Sequence, residues 1–116
     1  MKLNRSNAIG VYIFVKTILM TLEKFKIAIK DKTFRSSVGD FIYRFIPENT
    51  LQVNGNMANS VHYSIGGNDD EFIFNHNNLF GSEPYIIEVN TTNTGLFQLT
   101  LKTQFTNVLK DIWTQV

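Results

Sequence analysis

With 116 residues, 43% hydrophobic and 18% charged, the chain is long enough to bury a core and too apolar to be disordered. It has no cysteine, which excludes disulfides, thiolate nucleophiles and cysteine metal sites. The net charge of +1 conceals a segregation: residues 1–46 carry nine Lys and Arg against three acids, and residues 47–101 carry six acids and no Lys or Arg.

The N-terminal stretch Asn7 to Asp31 predicts one long helix. Asn7 suits an N-cap, and Ile18, Leu19, Leu22, Phe25 and Ile29 recur at helical spacing. Val11 to Val15 alone would suit a strand, because β-branched and aromatic residues cluster there. Residues 8–15 are apolar on all sides, which implies burial against more than one surface. Lys2 and Arg5 precede this run as in a targeting segment, but no small-x-small cleavage site follows. Lys16 interrupts the run well short of the roughly 20 apolar residues of a membrane span. A cytoplasmic or virion location is expected, with neither secretion nor a membrane role.

Phe34, Val38, Phe41, Ile42 and Phe45 fit a second helix over 34–46, ended by Pro47. After Pro47 the period changes to two. Asn54-Gly55 is a strong hairpin signal. Val61, Tyr63 and Ile65 alternate, as do Phe72 and Phe74, Tyr85, Ile87 and Val89, and Phe97, Leu99 and Leu101. Residues 50–103 therefore predict antiparallel strands with one wet face. Phe105, Val108, Leu109, Ile112, Trp113 and Val116 match a C-terminal helix over 104–115. The expected fold is a single two-layer α+β domain over 1–116, with the helices packed on a four- or five-stranded antiparallel meander.

Chemistry-bearing motifs are absent. His62 and His76 are too few for zinc without added acids, and nothing in their spacing brings acids to them. Gly66-Gly67-Asn68-Asp69-Asp70-Glu71 lacks the order of a calcium loop and reads as a solvated turn. No serine stands in a G-x-S-x-G elbow. Gly10-Val11-Tyr12-Ile13 matches only the first half of the GIY-YIG nuclease signature, and the second tyrosine element is missing.

These features predict a non-enzymatic structural or assembly protein that self-associates head to tail into a ring or filament, such as a phage neck or tail-completion subunit. Three interface groups are expected. The basic pole is Lys24, Lys26, Lys30, Arg35 and Arg44. The acidic pole is Asp69, Asp70, Glu71, Glu83 and Glu88. The apolar contact is Val11, Tyr12 and Phe14. Protein partners are expected, nucleic acid would bind only non-specifically through the basic helices, and no cofactor, metal or small-molecule substrate is called for. The alternatives are a small binding module with an apolar pocket, of the NTF2-like or cystatin-like kind, or a protein inhibitor or immunity protein.

Overall fold

The computed structural model describes residues 15–17, 20–77, 81 and 83–116. The fold is mostly β: a closed eight-stranded antiparallel barrel with one short helix near its start. Strand β1 (Val15–Thr17) precedes helix α1 (Leu22–Ala28). The barrel strands follow: β2 (Thr33–Ser36), β3 (Ile42–Ile46), β4 (Thr50–Val53), β5 (Asn56–Asn68), β6 (Glu71–His76), β7 (Tyr85–Thr92), β8 (Phe97–Thr103) and β9 (Leu109–Gln115). Each pairs with the next, and β9 returns to pair with β2, with Ser36 opposite Trp113. Strand β7 gives Tyr85–Ile87 to β6, and β1 takes the remainder of that edge at Asn90–Thr92.

This corrects the expected α+β domain in each of its helices. Among the described residues the expected helix over 7–31 survives only as Leu22–Ala28, and residues 15–17 are a strand. Asn7 and the contact residues Val11, Tyr12 and Phe14 lie outside the described residues. The expected second helix over 34–46 is the β2–β3 hairpin. Its apolar stripe concealed a period of two, in which Tyr43 and Phe45 point inward and Arg44 outward. The intervening Ser36-Ser37-Val38-Gly39-Asp40 supplies the turn, with Gly39 at φ +89°. The expected C-terminal helix over 104–115 is a loop followed by β9, which buries Asp111 and Trp113 and leaves Phe105, Val108 and Leu109 exposed. Closure explains the outcome. As a strand, β9 satisfies backbone groups on both β2 and β8, so the sheet keeps no open edge there.

The barrel interior is packed with side chains. Trp113 stacks on Tyr43 at 4.4 Å, and Phe45, Phe74 and Tyr63 surround them. The turns follow local chemistry. Asn54 and Gly55 both have positive φ and join β4 to β5, as the Asn-Gly pair requires. Gly67, at φ +94°, stands where a Cβ would lie 2.1 Å from the Glu71 carbonyl oxygen, so only glycine fits.

Helix α1 lies across one end of the barrel. Thr21 caps it, its hydroxyl accepting from the Lys24 amide, and the Asp69 carboxylate accepts from the Leu22 amide at 2.9 Å. Phe25 stacks on Phe72 with ring centroids 4.7 Å apart. The helix stops because the next residues join the sheet: the Asp31 amide donates to the Phe45 carbonyl and the Phe45 amide to the Lys32 carbonyl. No helix among the described residues is long and apolar enough to cross a membrane.

Candidate functional site

A seven-residue helix is too short to cover a barrel mouth. Phe25 anchors α1 over the Phe72 side, and the β3–β5 side of the same mouth stays partly open. There the last turn of α1, the β3–β4 turn and β5 enclose a cleft of about 320 Å³. Ile29, Phe45 and Ile65 are buried and give it an apolar floor. Tyr63 forms a wall, its ring edge-to-face with Phe45 at 5.2 Å. Its hydroxyl has no hydrogen-bond partner among the described residues, and burial raises its pKa, so it remains a neutral donor and acceptor.

The lips of the cleft are polar. On the helix side stand Lys26, in a loose exposed pair with Glu23 at 3.5 Å, and Lys30. On the turn side stand Glu48 and Asn49, both in the left-handed region at φ 65° and 54°. That conformation is uncommon for glutamate. It is held by the hairpin around it and by the Tyr63 amide, which donates to the Asn49 carbonyl at 3.0 Å. Asp31 also lines the cleft and pairs with Arg44 at 3.8 Å. Lys30 and Glu48 have no ion-pair partner among the described residues.

The opposite end of the barrel has a polar interior layer. Asp111 is 2% exposed. One carboxylate oxygen accepts from the Ser36 hydroxyl at 2.5 Å and the Trp113 indole N–H at 2.7 Å. The other accepts from the Ser37 amide and hydroxyl and from the Ile112 amide. The carboxylate is thus saturated with donors and ties β9 to the β2–β3 turn. Tyr85 is 1% exposed, and its hydroxyl has no partner among the described residues. Burial, with smaller contributions from Asp111 and Glu83, pushes its pKa up to about 12. Tyr43 is raised in the same direction by burial and by Asp111. At this end Glu83 receives the amides of Phe105 and Thr106 and the Thr106 hydroxyl. Burial opposes its ionisation, but these bonds and Lys110 outweigh that and lower its pKa.

The residues expected at two charged poles are distributed differently. Lys24, Lys26 and Lys30 follow one another along α1 and its C-terminal turn, and Arg35 and Arg44 point outward from neighbouring strands. Asp69 and Asp70 form the β5–β6 turn, which caps that same basic helix through Asp69, and Glu71 opens β6. Glu83 is at the far end of the barrel, and Glu88 is on the outer face of β7. The acids therefore do not gather at one pole. His62 is exposed on β5, while the His76 Nε2–H donates to the Glu83 carbonyl at 2.7 Å. Among the described residues no group of three or more acids and histidines could hold a metal ion.

Sequence reasoning singled out Lys26 and Lys30 but missed the cleft beside them. Pro47 was read only as the end of a helix, and the apposition of residues 26–30, 45–49 and 63–65 is a product of closure. Comparison with protein-family models, with curated proteins and with solved structures finds no match to this chain.

Proposed function

We propose that this chain is a non-enzymatic binding protein that holds a small, largely apolar molecule in the cleft beside α1. The observation that carries this reading is the cleft itself: about 320 Å³, with buried Ile29, Phe45 and Ile65 below and polar lips above. That volume lies at the small end of the roughly 300–1,000 Å³ of ligand sites, and barrel mouths are a favoured place for them. Catalysis is disfavoured because the one buried carboxylate described, Asp111, is occupied by five donors, and the buried tyrosines stay neutral at physiological pH. The binding-module reading thus stands ahead of the assembly reading, though in a barrel rather than an NTF2-like or cystatin-like frame. The test is titration with a neutral apolar fluorophore such as N-phenyl-1-naphthylamine. Saturable binding is expected, weakened at least tenfold by Ile46→Asp at a half-buried position of the cleft lining, in a variant whose circular dichroism spectrum matches the wild type. Absence of saturable binding overturns the reading.

Self-association remains a second reading, favoured by a different observation. The barrel end remote from α1 exposes Val38 and Phe41 on one loop, and Phe105 and Val108 on another with Leu109 at the start of β9, with Phe105 75% exposed. Clustered exposed apolar side chains mark contact surfaces. A ring or filament subunit, as in a virion, would use such a surface. Light scattering should then give a mass that rises with concentration and falls to that of a monomer in Phe105→Asp. A strict monomer at high concentration rejects this reading.

A further inference from the structure

We infer that the cleft's ligand is a small zwitterion with an apolar body, of the α-amino-acid type. This rests on the proposed binding function and deepens it. Four observations converge. The floor is apolar and aromatic, through Ile29, Phe45 and Ile65. The Tyr63 hydroxyl, in a half-buried wall, is without a partner among the described residues. Lys30 and Glu48 carry opposite charges, line the same cleft and are not paired with each other or with any other described charge. The other charges at the lips make exposed ion pairs, Lys26 with Glu23 at 3.5 Å and Asp31 with Arg44 at 3.8 Å.

The pairing pattern decides the ligand's charge. A purely anionic ligand would satisfy Lys30 and leave Glu48 facing it. A purely cationic ligand would do the reverse. A molecule with a carboxylate and an ammonium on one carbon satisfies both lips while its side chain enters the apolar floor. The strained backbone at Glu48 agrees with this placement: a left-handed glutamate is disfavoured locally, and such conformations cluster at ligand clamps. Here the left-handed residue lies in the turn that forms the lip opposite the helix. The volume of about 320 Å³ suits a small molecule.

The test is calorimetric titration of the full chain with L-phenylalanine, with 3-phenylpropionate (carboxylate only), with 2-phenylethylamine (ammonium only) and with the neutral fluorophore. L-Phenylalanine is expected to bind about tenfold tighter than either single-charge analogue, as one charge-assisted hydrogen bond implies. Lys30→Gln should erase its advantage over the amine, and Glu48→Gln its advantage over the carboxylate. Both positions are exposed, so both variants should retain the wild-type circular dichroism spectrum. If the neutral fluorophore saturates the cleft but L-phenylalanine shows no preference, or if both variants bind it as the wild type does, the zwitterion assignment is overturned and the cleft reading stands. If neither the fluorophore nor L-phenylalanine binds, both fall.

Discussion

The two ends of the barrel are closed by opposite means. At one end a short helix lays Phe25 on Phe72 and leaves an apolar cleft beside it. At the other, a buried carboxylate gathers five donors and leaves no capacity for a ligand, while apolar side chains stand exposed on the loops outside. Apolar packing is non-directional and tolerates a gap. A buried charge tolerates none, because every missing hydrogen bond carries its full desolvation penalty. The incompletely sealed end is therefore the one suited to binding, and the end tied by the Asp111 carboxylate, where the Tyr85 hydroxyl alone is left without a described partner, is the one suited to holding the strands in register.

The sharpest way to break this contrast is Asp111→Ala. It removes the shared acceptor of Ser36, Ser37, Ile112 and Trp113, two of whose donors are on buried side chains. A loss of about 4 kcal/mol in urea unfolding is expected. Phe25→Ala at the other end should lose about 3 kcal/mol, the lower part of the range for a large aromatic, because the neighbouring cleft lets the site relax. If Phe25→Ala proves the costlier, the helix and not the carboxylate is the main closure.

Gly67→Ala should lose about 2 kcal/mol, since its Cβ would meet the Glu71 carbonyl and its φ is positive. Because that turn carries the Asp69 cap of α1, thermal melts of this variant should show the helix signal lost before the barrel signal.

The pH response should also separate the ends. Tyr85 has its folded pKa raised from 10.0 to about 12, chiefly by burial. Its contribution is fully present below about pH 10 and is lost as the pH rises toward 12. Glu83 has its folded pKa lowered, so its contribution is present above the usual carboxylate range and is lost as the pH falls through the folded value. Hydrogen exchange in acid should therefore speed up first at the Phe105 and Thr106 amides, with little change at α1. The smallest effect is expected from Glu48→Asn. A residue more tolerant of the left-handed region should raise stability by about 0.5 kcal/mol while weakening any ligand that needs the carboxylate. Binding unchanged by that variant would remove Glu48 from the site.

Several elements were readable locally. The alternations at Tyr63 and Ile65, Phe72 and Phe74, Tyr85 to Val89, and Leu99 to Leu101 all appear as strands with those residues inward or half-buried. The Asn54-Gly55 hairpin was equally plain. The candidate cleft was much less so. Lys26 and Lys30 stood out by charge alone, while Phe45, Tyr63 and Glu48 are far apart in sequence and meet only after closure.

What the sequence by itself determined is the inner face of the central strands, the turns whose backbone needs Gly or Asn, and the one helical segment around Phe25. What only the tertiary structure decided is the state of residues 34–46 and 109–115. Their apolar residues fit a 3.6 period, while the inward faces of the strands include the polar Ser36 and Asp111, so local pattern does not show the alternation. The choice came from the unpaired edges of β3 and β8, which the hairpin strand β2 and the final strand β9 satisfy together. Backbone hydrogen bonds across the closing seam, with Asp111 collecting the donors beside it, outweighed a helical preference that a short exposed segment could not sustain alone.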